Sequence, residues 1–172
     1  LIKPLKQNAR INNFYEISGI LNGTSNFILS KMSKEGLEFA DVLKQAQEKG
    51  YAEQDPSDDI DGTDMARKIS VLSSTIFKKH LPLEQIQING IRHIEKQDMD
   101  IAKKAGCDIK LIARSNYENN NYKAAVEPVI LKQNSIFAQV SDAYNIGMAK
   151  GDNLSEVSFY EKELEDMQLQ MQ

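Results

Sequence analysis

The stretch GYAEQDPSDDIDGTDMARK, Gly50 to Lys68, decides how the rest of this 172-residue chain is read. It sets five aspartates, Glu53 and Lys68 around two glycines and a proline, then runs into an apolar-periodic segment. From Thr63 onward Met65, Ile69, Leu72 and Ile76 are spaced 4, 3 and 4 apart, the period of a helix with a buried face. Ala66 and Val71 widen that stripe and predict burial around much of the helix. Polar, turn-rich loops delivered onto a rigid helix are where folded proteins usually keep their chemistry.

Asp64 and Lys68 are one helical turn apart, so both side chains point to one side, and the helix dipole favours Asp64 in the first turn. Glu53, Asp55, Asp58, Asp59 and Asp61 crowd the preceding loop. Like charges this close oppose ionisation unless a cation arrives, and a substrate ammonium, a metal or Lys68 would serve. A calcium loop is a poor match. With Gly62 at its sixth position, Lys68 falls where that loop needs a bidentate glutamate. No metal is therefore assigned. Lys68 reads either as a proton donor or as an anchor for an anionic group. The plain alternative is a solvated acidic turn carrying an ordinary surface ion pair. A small substrate with an α-amino and an α-carboxylate group suits the inventory: carboxylates take the ammonium, while backbone donors of the NGTSN turn (residues 22–26) take the carboxylate.

Working outward, residues 3–10 predict a short helix and 14–20 a strand. In the NGTSN turn Gly23 is free to take a positive φ, and Thr24 or Ser25 is the candidate cap for a helix over 25–34. A second helix is expected over 37–49, with Gly50 as its stop. A short strand within 86–94 is interrupted by the turn signal Asn89-Gly90, and 98–106 reads as a helix. Strands follow at 108–114, 122–130, 135–140, 143–149 and 155–160, with SNYENNN as a hairpin connection. The pattern implies an α+β fold: a mixed or antiparallel β-sheet covered by helices on one face. The other face then needs cover, which a partner subunit would supply.

The composition, 41% hydrophobic and 27% charged, is that of an ordinary globular protein. A net charge of −4 and the lack of a basic run give no reason to expect nucleic acid. No apolar run approaches a membrane span. The single cysteine, Cys107, excludes an internal disulfide framework and makes a reducing, cytoplasmic compartment the default. The chain opens on Leu1 rather than methionine, as if in mid-element, which suggests a piece of a longer protein.

The pattern A-x3-G-Y-A-x2-D-P-x2-D-I-x-G-x-D-x3-K, Ala46 through Lys68, resembles the signature of the homoserine dehydrogenase family. GILNGTSNFIL (residues 19–29), ARKISVLSS and GCDIKLIAR are similar to other stretches of that family. The resemblance implies an oxidoreductase that interconverts L-aspartate 4-semialdehyde and L-homoserine with NADH or NADPH, on the route to threonine and methionine. It implies that Glu53 and Asp64 hold the substrate amino group, with Asp59 in the same network. Lys68 contacts the reacting oxygen and donates the proton, while Gly23, Thr24 and Tyr51 line the pocket. A homodimer joined through its sheets is also implied.

Two departures stand out. No G-x-G-x-x-G occurs, so the family's nucleotide-binding domain and the second lysine it contributes have no counterpart here. The chain also ends in EKELEDMQLQMQ, where the family continues with a glycine-rich stretch. The expected organisation is a substrate-binding, catalytic and dimerisation domain over 1–160, then a polar acidic tail over 161–172, with little activity by itself. The other reading is a non-catalytic oligomerisation or amino-acid-binding module that kept the fold.

Overall fold

The computed structural model describes residues 12–153 and 155–162. The helix expected over 3–10 lies outside them, as do residues 163–172 of the expected tail; Glu161 and Lys162, the first two residues of that tail, end a strand instead. In chain order the elements are β1 (Phe14–Ile20), α1 (Gly23–Glu35), α2 (Phe39–Glu48), α3 (Ser57–Ile60) and α4 (Thr63–Phe77). Then come β2 (Ile86–Ile88), α5 (Lys96–Lys104), β3 (Cys107–Glu118), β4 (Asn121–Lys132), α6 (Ile136–Gln139), β5 (Tyr144–Gly151) and β6 (Val157–Lys162).

The strands form one six-stranded sheet in the order β2-β4-β3-β1-β5-β6. Every neighbouring pair is antiparallel except the three-residue β2–β4 ladder, which is parallel. This is the mixed, mostly antiparallel sheet that the strand-rich second half predicts. β1 is central: Ser18 sits opposite Arg114 of β3 on one side and Met148 of β5 on the other. A strand from the start of the chain thus holds the late strands together.

Side chains alternate across the strands, so the sheet has two apolar sets. Ile17, Leu111, Ala113, Val126 and Ala149 face α1 and α4, meeting Ile28, Met32, Met65, Ile69 and Leu72 in the main core. The predicted stripe of α4 is buried from Met65 through Ile76, but Val71 is 52% exposed. A lone helix on a sheet buries one face, and Val71 lies off that face. On the opposite side Ile20, Ile112, Val140 and Ile146 form a smaller cluster with Phe137 and Tyr144.

Three local expectations change. Residues 135–140 form the single turn α6 rather than a strand. Ser135 caps it by accepting from the Ala138 amide, and Phe137 and Val140, three apart, pack on the second cluster. Six apolar-rich residues are too few for periodicity to separate the two forms. The hairpin turn shrinks to Asn119-Asn120, both at positive φ (51° and 62°), because a two-residue turn of that hand matches the strand twist. The strand sought within 86–94 stops at Ile88, since Gly90 must pass against α3. A Cβ on Gly90 would lie 2.3 Å from the Ile60 carbonyl oxygen. That close approach lets Ile91 donate its amide to Ile60 at 2.7 Å and seats the acidic loop on the sheet edge.

Lys110 of β3 is 1% exposed. Its Nζ donates to Asn26 Oδ1 (3.1 Å), Ser30 Oγ (2.9 Å) and the Val140 carbonyl (2.7 Å), joining β3 to α1 and to the loop after α6. Burial pushes this ammonium down to about 8. Between there and the ordinary lysine value of 10.5, the unfolded chain keeps a proton that the native chain has lost. Stability contributed by this group therefore rises with pH across that window. In urea unfolding at pH values across it, wild type is expected to gain stability relative to Lys110→Met as pH increases; parallel curves would refute the assignment.

Candidate active site

The acidic loop begins where α2 ends. Gly50, at φ 79°, closes that helix as expected: Tyr51 donates its amide to the Ala46 carbonyl at 2.9 Å, and Gly50 to that of Gln47 at 3.1 Å. Gln47 Nε2 then donates to the carbonyls of Glu53 (3.1 Å) and Gln54 (3.2 Å). Asp55 accepts from the Ser57 hydroxyl (2.5 Å) and amide (3.2 Å), which holds its carboxyl below the usual range. After the single turn α3, Gly62 at φ 85° redirects the chain into α4.

The aspartates sort into two sets. Asp55 belongs to the Ser57 turn, Asp58 pairs with Arg67 at 2.6 Å, and Asp61 takes a two-pronged contact from Arg92, which also donates to Ser57 Oγ at 2.9 Å. These three lie on the outer side, matched there by local cations and donors. Asp59 and Asp64 turn the other way, toward the segment Leu21-Asn22 that links β1 to α1. Asn22 Nδ2 donates to Asp59 Oδ1 at 2.7 Å and to Asp64 Oδ2 at 2.9 Å. Asp64 Oδ2 also receives Lys68 Nζ at 2.7 Å, and Lys68 donates to the Leu21 carbonyl at 2.9 Å.

The remaining predicted residues border this cluster unequally. Thr24 Oγ1 donates to the Tyr51 carbonyl at 2.6 Å, tying the first turn of α1 to the acidic loop. The Tyr51 ring packs on Phe27 with centroids 4.7 Å apart. Gly23 is buried as the first residue of α1 and does not take a positive φ. The cap of that helix is Asn22, whose Oδ1 accepts the Ser25 amide at 2.8 Å, not Thr24 or Ser25. Glu53 is exposed, two residues past Tyr51, and the contact that fixes it is through its backbone. Lys68, Asp64 and Asp59 are therefore brought together and Gly23, Thr24 and Tyr51 adjoin them, while the exposed Glu53 side chain makes no hydrogen bond or ion pair to them among the described residues.

Sequence reading missed Asn22 and Arg92. An asparagine immediately before Gly-Thr-Ser at a helix start was the available signal for Asn22. Arg92, 31 residues from Asp61, offered none.

Lys68 and Asp64 are 41% and 26% exposed in their side chains, so an ammonium, a carboxylate and a carbonyl oxygen meet where a small polar molecule has access. Such a group can bind an amino group at Asp59 and Asp64 and exchange a proton at Lys68 Nζ. A dinucleotide is not fitted by these residues: the glycines never fall in G-x-G-x-x-G spacing, and the sole parallel ladder of the described sheet is three residues long.

Comparison with known proteins agrees. The homoserine dehydrogenase family model matches residues 1–168. The homoserine dehydrogenase of Synechocystis sp. is 40% identical over 164 residues, covering 93% of this chain and 38% of that protein. That of Helicobacter pylori is 39% identical over 160 residues, again 93% and 38%. A solved homoserine dehydrogenase from Thiobacillus denitrificans superposes with a TM-score of 0.91 at 36% identity, over 95% of this chain and 38% of that one. The chain thus spans well under half the length of the relatives it matches. Along that span, residue pattern and backbone lead to the same place: the chain belongs to the homoserine dehydrogenase family.

Proposed function

We propose that the Asp59–Asp64–Lys68 cluster is the substrate end of a homoserine dehydrogenase, binding L-homoserine and L-aspartate 4-semialdehyde. The observation that carries this reading is Lys68 Nζ, held between Asp64 and the Leu21 carbonyl at the mouth of a carboxylate pair. Asp64 and Asp59 receive the substrate ammonium, with Glu53 closing over it from the rim. Gly23, Thr24 and Tyr51 border the pocket, and the positive end of α1 suits the substrate carboxylate. Lys68 Nζ gives its proton to the aldehyde oxygen as that oxygen becomes a hydroxyl, and takes one back in the reverse direction. The hydride comes from NADH or NADPH, which the residues of this chain do not fit. The lone unpaired cysteine accords with a cytoplasmic setting.

Lys68 Nζ is held by the Asp64 carboxylate and by the Leu21 carbonyl, both acceptors. Removing Asp64 takes away the ammonium partner and loosens Lys68 together. By calorimetry, Asp64→Ala is expected to bind L-homoserine at least about tenfold more weakly than the unmodified chain, the cost of one charge-assisted contact. Added NADH or NADPH with aldehyde should give little or no turnover by this chain; normal turnover would overturn the view that the nicotinamide is held elsewhere.

Dimerisation has separate support. The second apolar cluster leaves Ile136 43% exposed beside it and Tyr160, stacked on Tyr144 at 5.1 Å, 58% exposed. Only α6 covers that side among the described residues, and a second copy of the sheet is the cover we assign. Sedimentation equilibrium should show a dimer, and a monomer at high concentration would contradict it.

A further inference from the structure

We propose that Asn22 is a positioning residue of this site, its side-chain amide clamping the Asp59 and Asp64 carboxylates into one fixed pair and so setting where Lys68 holds its proton. The proposal deepens the substrate-binding reading and rests on it. A primary amide has two N–H donors and one acceptor oxygen. Asn22, 2% exposed, uses all of them on separate partners: one hydrogen faces Asp59 Oδ1, the other faces Asp64 Oδ2, and the oxygen accepts from the Ser25 amide. The orientation is forced. Turned over, the amide would aim its oxygen at two carboxylates and its NH2 group at an N–H.

Two carboxylates reaching for one side chain repel each other, and in a partly buried site that repulsion is poorly screened. The amide offsets it with two hydrogen bonds to charged acceptors and needs no proton of its own to do so. Asp64 Oδ2, at which one of those bonds ends, is the atom that Lys68 meets at 2.7 Å. The preceding residue, Leu21, also offers Lys68 an acceptor through its carbonyl. Adjacent residues of one short linker thus hold both members of the Asp64–Lys68 pair. The linker itself is held at one end by β1 in the middle of the sheet, and at the other by capping α1.

Capping and clamping are separable, because serine and aspartate cap helices about as well as asparagine while neither carries an NH2 group. Asn22→Ser keeps an acceptor for Ser25 and loses the two-pronged donor. Asn22→Asp also keeps the acceptor but brings a third carboxylate to the cluster. The unfolding temperature of Asn22→Ser is expected to stay within a few degrees of wild type. Its affinity for L-homoserine, measured by calorimetry on the same chain, should fall about tenfold, with a larger loss for Asn22→Asp where that variant folds. Wild-type affinity in Asn22→Ser would overturn the proposal and leave Asn22 a cap alone.

A second measurement needs no ligand. In 15N NMR of the unliganded chain, the Asn22 side-chain protons should exchange slowly with solvent, and Asp59→Ala should speed that exchange. Exchange as fast as in a free amide, or indifference to Asp59→Ala, would overturn the clamp. Protected protons that respond to Asp59→Ala, in a chain that binds no L-homoserine, would uphold the clamp and refute the substrate reading.

Discussion

Two carboxylates set side by side repel each other, and the site depends on how this chain holds them together. That hold comes from Leu21-Asn22, which supplies an amide to Asp59 and Asp64 and a carbonyl to Lys68. The ammonium of Lys68 then sits between acceptors that the chain itself holds in place.

The neighbouring aspartates make that inner pair possible by being drawn elsewhere. Arg67, from the first turns of α4, takes Asp58; Arg92, from the loop after β2, takes Asp61; Ser57 folds Asp55 back onto its own turn. A loop with this many like charges and little apolar mass would order itself at considerable entropic cost if left alone. Ile60 is its main apolar anchor, 1% exposed, and Gly62 and Gly90 bring its backbone against β2 and the following loop. Outer ion pairs are individually weak at such exposure, yet together they decide which carboxylates remain to face Asn22.

β1 connects these events to the sheet. As the central strand it is paired on both edges, so the linker leaving its end is as firmly placed as any irregular segment can be. On β3, its neighbour, Lys110 bonds α1 and the loop after α6. Asn26 answers from α1, donating to the carbonyls of residues 140, 142 and 144. The helix whose first turn borders the site is therefore secured to the sheet by buried polar contacts as well as by the apolar core.

Much of this was legible in short windows. The stop of α2 at Gly50, the buried stripe of α4, the strands at β3 and β5, and the placing of Asp64 and Lys68 on one side follow from backbone geometry over a few residues. The signature from Ala46 to Lys68 is such a window too. Identical aspartates, by contrast, carry no local mark of which will face inward. That was decided by partners 37 and 42 residues away for Asp59 and Asp64, and 31 away for Asp61. The turn at 136–139 and the depth of Lys110 were likewise settled by what packed against them. Periodicity is a property of the nearest neighbours in sequence; charge matching belongs to neighbours in space, and only closure of the sheet around β1 made those neighbours meet.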